Sequence, residues 1–259
     1  MLLSVVISCA ITTASAAVPL TESTFTEIIR QANVVNAADK STTPAQVNEV
    51  FKAPDLVRTG TASRIEMTAP DKTITRVGAN TVFTFEPGGR DILLQRGSVL
   101  FHAPAGAGGG SIKYHGTAAA VLGTTELATV LPDGSFKILD LEGNVKVTLK
   151  NLLTIDLKPG QMVIVAPDGE SFGPVLNFNL GRLVQRLLLV MGFEKPLSSL
   201  PLIEAAAQLQ NEEFAKGGMN QFVPLLQVEY GLELTPNPER FNQPTTPQPY
   251  ISPTTGAKH

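Results

Sequence analysis

The chain has 259 residues, 43% of them hydrophobic and only 17% charged, so it can bury a sizeable core in one large domain or two small ones. Lys and Arg total 20 against 23 Asp and Glu; the net charge of -3 argues against a general nucleic-acid binder and against a polybasic membrane surface. One Cys and three His exclude a multi-cysteine zinc site and an intramolecular disulfide, and argue against a three-His zinc centre.

Residues 1–17 read MLLSVVISCAITTASAA and end in Ala14-Ser15-Ala16, an A-x-A cleavage pattern. We read this run as a signal peptide, although the first basic residue is Arg30 and the usual positive n-region is missing. A transmembrane anchor is the rival reading, but the run is short and rich in Ser and Thr for a span of about 20 residues. Val6-Ile7-Ser8-Cys9 faintly resembles a lipoprotein cleavage site, with no basic residue before it. Cleavage after the small residues would leave a mature chain without cysteine, in the periplasm or secreted.

From Ala17 to about Pro54 the chain is polar and mixed. Thr24 to Arg30 and Pro44 to Phe51 each fit a strand or a short helix, and neither is assigned. From Leu56 to Ala166 short alternating apolar runs recur, among them Ile65-Glu66-Met67, Val82-Phe83-Thr84-Phe85, Val99-Leu100-Phe101, Phe136-Lys137-Ile138 and Met162-Val163-Ile164-Val165. Turn signals separate them: Pro70-Asp71, Gly78-Ala79-Asn80, Pro87-Gly88-Gly89, Pro132-Asp133-Gly134, Glu142-Gly143-Asn144 and Pro159-Gly160. Period-two alternation with one inward row is the pattern of half-buried β-strands. A sandwich, barrel or β-solenoid fits, and a parallel α/β sheet does not.

From Leu176 the period changes. Leu180, Leu183, Val184, Leu187, Leu188 and Met191 predict an amphipathic helix stopped near Gly192. A second helix starts around Pro201 and ends at Gly217-Gly218. Both are expected on an end of the β domain. From Thr235 onward Pro, Thr and Gln dominate, which predicts a disordered or polyproline-like tail, either a spacer or a ligand for an aromatic-lined groove.

The candidate chemical motifs are weak. Gly106-Ala107-Gly108-Gly109-Gly110-Ser111 precedes a strand rather than a helix, so it reads as a flexible connection and not a phosphate cradle. His102 and His115 flank it without a sequence-adjacent acid and read as surface histidines at strand ends. Asp140 and Glu142 border a turn, where acids are ordinary, and Asp133-Gly134 reads as a hairpin turn. No G-x-S-x-G nucleophile turn occurs. No catalytic, cofactor-binding or metal-binding residue is assigned, and nothing demands a cofactor.

An ordered series of motifs adds to this reading. It comprises Val57 to Glu66, Ile74 to Thr81, Leu94-Gln95-Arg96-Gly97-Ser98-Val99-Leu100-Phe101, Val121-Leu122-Gly123-Thr124-Thr125-Glu126, Asp140 to Val147, and Leu157 to Met162. Over about 110 residues it resembles the FecR domain family. The resemblance implies a mainly β, twisted β-solenoid-like domain outside the cytoplasm, with Gly60, Gly78, Gly97, Gly123, Gly143 and Gly160 at its corners. In the best-known family members this domain is the extracytoplasmic half of a transmembrane regulator. It passes a signal from an outer-membrane transducer to a sigma factor. This chain shows no anti-sigma segment before the β domain, and the family supplies no catalytic residues.

The expected organisation is a signal peptide over 1–17, an N-terminal segment over 18–54 and a FecR-like β domain over 55–167. A helical extension over 168–234 and a disordered tail over 235–259 follow. The leading functional reading is a non-enzymatic, exported protein-interaction or sensory module of the cell envelope. Its partner would be an envelope or secreted protein, with no nucleic acid and at most peripheral membrane contact. If an extended partner docks, Arg64, Glu66, Thr75 and Arg76 are candidate solvent-facing contacts. The alternative is a glycan- or cell-wall-binding or structural module. With no Trp, it would need Phe83, Phe85 and Phe101 exposed beside Tyr114, Tyr230 and Tyr250.

Overall fold

A computed structural model describes residues 18–218 and 222–234. The expected signal peptide and Pro-rich tail lie outside the described residues. Within them the chain is mainly β, with sixteen strands in one continuous, open sheet folded into two layers. The first layer runs in the order β1 (Thr24–Ile29), β5 (Arg64–Thr68), β6 (Ile74–Val77), the second half of β8 (Asp91–Ala103), β11 (Thr124–Val130), β12 (Phe136–Glu142), β15 (Gln161–Val165) and β16 (Leu176–Asn177). The second runs β3 (Thr42–Pro44), β2 (Ala32–Val35), β4 (Leu56–Thr59), β7 (Val82–Phe85), the first half of β8, β9 (Gly110–Tyr114), β10 (Thr117–Val121), β13 (Val145–Thr148) and β14 (Thr154–Leu157).

Strand β8 belongs to both layers. Up to Arg96 it pairs with β7, and from Gly97 it pairs with β11. The bend falls at Gly97, whose φ of 87° is open to glycine and costly for other residues. The layers enclose a shared core in which Phe25, Val99, Phe101 and Phe136 of the first meet Phe83, Phe85, Ile112 and Val145 of the second. Pairing is antiparallel everywhere except β8–β9. The parallel stacking of successive coils that marks a solenoid is thus limited to that one pair, and two face-to-face layers take its place. The unassigned segment before Leu56 supplies β1, β2 and β3: β1 pairs with β5, β2 with β4, and β3 with β2.

The helices lie across the outer face of the first layer, not on an end of the β structure. They are α1 (Leu180–Val184), α2 (Leu188–Met191), α3 (Leu200–Ala215) and α4 (Leu225–Glu229). Their apolar residues meet the outward row Leu100, Leu127, Leu139, Leu141 and Met162 in a second core. Strands β11 and β12 are therefore buried on both faces, where alternation alone predicts one wet face. The single helix expected over 180–191 is interrupted, because Leu187 turns extended and bridges Leu234. Asn179 caps α1 by accepting from the Arg182 amide at 2.9 Å, and Pro201 sits in the first turn of α3. No helix among the described residues is long and apolar enough to cross a membrane.

A Cβ at residue 97 would lie 2.5 Å from Thr81 Cα. Gly97→Ala is therefore expected to destabilise by roughly 2–4 kcal/mol. Gly106 also has positive φ, but an added Cβ meets nothing within 4 Å, so Gly106→Ala should cost about 1 kcal/mol. Urea denaturation of the two variants measures the difference.

Candidate interaction surfaces

The outward row of the first layer carries polar residues that the helical segment covers. Arg76 is fully buried. Its Nε donates to Glu66 Oε2 at 2.8 Å, and Nη2 lies 2.8 Å from the same oxygen. Nη1 donates to the carbonyls of Leu189 at 3.2 Å and Val190 at 2.9 Å, and Nη2 to that of Lys195 at 2.7 Å. The guanidinium also sits 4.3 Å from the centroid of the Phe193 ring. Thr26 Oγ1 donates to the other Glu66 oxygen at 2.8 Å. This corrects the expectation that Arg64, Glu66, Thr75 and Arg76 face solvent. Glu66 and Arg76 are buried under the segment around α2, Thr75 points into the shared core, and Arg64 is half-buried.

Lys137 is likewise fully buried and donates from Nζ to the carbonyls of Val228, at 2.7 Å, and Tyr230. Among the described residues no carboxylate pairs with it, and burial pulls its amine down to about 7. His102, expected at the surface, is buried beside Thr125, with Nδ1 3.0 Å from Thr125 Oγ1. Thr125 Oγ1 also lies 2.8 Å from Ser199 Oγ and 3.3 Å from Glu142 Oε2. The acid nearest this group is hidden from the sequence because the pairing of β8, β11 and β12 sets Thr125 between His102 and Glu142, which are 40 positions apart. His115 is exposed, as expected, in a turn with φ of 45°.

Asp140 is not a solvated turn residue either. It pairs across the strands with Glu126, and both side chains point into the shared core. All four carboxyl oxygens are buried without a hydrogen-bond partner. Burial pushes the Asp140 carboxyl up to about 8, and the nearby amides of Glu142 and Val145 moderate that rise without closing a good bond. Glu126 is raised well above the normal carboxylate range, first by burial and then by Asp140.

The glycine-rich connection between β8 and β9 is pinned rather than loose. Arg90 ties it down, donating to Gly109 O at 2.5 Å, Asp71 Oδ2 at 2.8 Å and Thr73 Oγ1 at 2.7 Å. Phe83, Phe85 and Phe101 are fully buried, so the aromatic row needed for glycan stacking is not on the surface. Among the described residues, no three His, Cys, Asp or Glu side chains are grouped to hold a metal ion. What the surface does offer is a sheet edge. Among the described residues strand β14 pairs with β13 alone, and the turn entering it exposes Leu152 by 80% and Leu153 by 60%. Leu152 has φ of 69°, an unusual cost for an exposed leucine. At the opposite edge of that layer, β3 carries Pro44, which cannot donate to a further strand.

Arg76→Met leaves Glu66 buried and three carbonyls without their donor, and should cost roughly 3–5 kcal/mol. The double variant Arg76→Met with Glu66→Leu should cost less than that single change, as urea denaturation of both would read. The acid pair predicts a pH dependence. An unfolded Asp140 ionises near 3.8, and the folded one near 8. Below about pH 4 both states hold the proton, and between about pH 4 and 8 only the unfolded state loses it. Stability is therefore full at low pH and falls as pH rises through that window. Asp140→Asn is expected to flatten the fall in a denaturation series.

Residues 55–146 match the FecR family, described as FecR protein. No curated protein matches the chain. Two crystal structures from Parabacteroides distasonis, each described as that of a putative anti-sigma factor, resemble it distantly. The one at 1.65 Å is 18% identical, with a TM-score of 0.42 over 47% of this chain and 59% of the other. The one at 2.50 Å is 14% identical, with a TM-score of 0.41 over 69% of this chain and 97% of the other. Both likenesses are too weak to carry an argument. The match takes in the ordered motifs from Val57 to Lys146 and stops short of Leu157 to Met162: residues 55–146 match the FecR family, within two β layers that strands from both sides complete.

Proposed function

We propose that this chain is a non-enzymatic, exported module of the cell envelope that takes part in signalling by binding a protein partner. The partner lays an extended segment along the free edge of β14. The FecR domain supports the signalling part of this reading. The observation that carries the binding part is the outer edge of β14, which no strand among the described residues pairs, next to two exposed leucines, one held at positive φ. An incoming strand would gain main-chain hydrogen bonds from β14 and bury Leu152 and Leu153. Strand β14 is half exposed, with Thr154 and Asp156 open to solvent, so the edge stays soluble until it is engaged.

The test is photo-crosslinking in intact cells. A photoreactive residue in place of Asp156 is expected to join the chain to one envelope or secreted protein. The same residue in place of Thr43, on the β3 edge, is expected to yield none. Leu152→Asp with Leu153→Asp should cut the yield about tenfold. Those leucines are exposed, so the melting temperature should hold. Equal yields at both edges, or no product at residue 156, would overturn the reading.

A further inference from the structure

We propose that the outer face of the first layer is a peptide-binding face whose resident occupant is this chain's own residues 222–234, and that it also accepts this segment from a second copy of the chain. This surface is separate from the β14 edge and does not depend on it.

The face and the segment are matched in detail. Lys137 donates to the carbonyls of Val228 and Tyr230. Arg186 pairs with Glu229, and the Ala79 amide donates to the Glu233 carboxylate. The Leu188 amide donates to Glu233 O at 3.0 Å, and the Val223 amide to Asn177 O at 2.8 Å. Val228 is the one described residue of the segment that is fully buried in the apolar cluster; Leu232 and Leu234 are partly buried, while Leu226 and Tyr230 are exposed. The recognised pattern is thus an apolar anchor followed by acids one and five positions later.

The same features make the segment separable. It holds one five-residue helix, too short to be stable alone, and its one β-bridge among the described residues, Leu187 to Leu234, is made to the turn between α1 and α2, not as a ladder on the sheet. Its attachment is dominated by side-chain bonds to main-chain carbonyls and two acids. None of these contacts requires the segment to come from the same chain. The tether gives the resident segment an effective concentration in the millimolar range, so a segment supplied in trans competes at a disadvantage. Exchange between copies is then the expected route to association.

A fluorescent peptide of residues 222–234 tests this against the full chain. It is expected to bind the full-length variant Val228→Asp, whose own segment has lost its anchor, at least tenfold more tightly than the wild type. The same peptide carrying Val228→Asp is expected to bind neither. A folded Val228→Asp chain that ignores the wild-type peptide, or binds both peptides alike, would overturn the proposal. Hydrogen exchange of the wild-type chain decides independently, including where that variant does not fold. The amides of Val223 and Leu188 should exchange at least tenfold faster than those of β11 and β12. Exchange of all of them at one common rate would show the segment to be an inseparable part of the core, and would sink the idea.

Discussion

The buried Arg76 guanidinium is the interaction on which the arrangement depends. It stands on β6, pairs with Glu66 on β5 and donates to three carbonyls of the segment between Leu189 and Lys195. Those carbonyls belong to a short helix and the irregular chain after it, where the regular ladder offers too few donors. A planar, permanently charged fork can serve Glu66 and several carbonyls together, and a lysine could not. Because Arg76 is paired and every direction of its fork is used, its desolvation is offset rather than merely endured. The helical segment is held over the first layer by this anchor and by apolar packing.

Lys137 solves the same problem less completely. It too feeds carbonyl oxygens, but among the described residues it has no carboxylate partner, and its amine is pulled down by burial. The contrast separates the covering segment into two parts. The chain around α2 is secured by Arg76 with its carboxylate partner, and residues 222–234 by Lys137 together with the Arg186–Glu229 ion pair. On the other side of the same strands, Glu126 and Asp140 face each other in the shared core without hydrogen bonds. Neighbouring carboxyls in such a place keep their protons, so the core holds neutral acids rather than charges. Polar groups are buried on both sides of β12, and each side handles the cost differently.

Strand β8 organises the surfaces that remain. By bending at Gly97 it contributes to both layers and makes them one sheet, which leaves the ends of that sheet as open edges. Pro44 blunts the β3 edge, whereas β14 is left bare beside exposed leucines. A chain built this way presents two different kinds of surface. One is an edge suited to an extended partner, and the other is a face already occupied by the chain itself.

Much of this was legible in the sequence. Period-two alternation and the Gly and Pro turns identify the strands, because side-chain direction in a strand is a local property. Pro201 and Gly217 bracket α3 for the same local reason. The order of motifs locates the FecR domain. The fate of the polar row was not legible. Glu66, Arg76, His102 and Lys137 look like a solvated face until a segment from far along the chain covers them; Arg76 and Leu189 are 113 positions apart. Alternation says which residues share a face and nothing about what lies on it. Likewise a strand that changes sheets reads as an ordinary strand, so the two layers joined at Gly97 were invisible. The sequence alone determined the strands and turns between Leu56 and Ala166, α3 and the resemblance to the FecR family, all set by local chemistry, but not β1, β2 and β3. Tertiary structure alone decided which polar groups lose their water and which edge stays open, since both depend on contacts between distant parts of the chain.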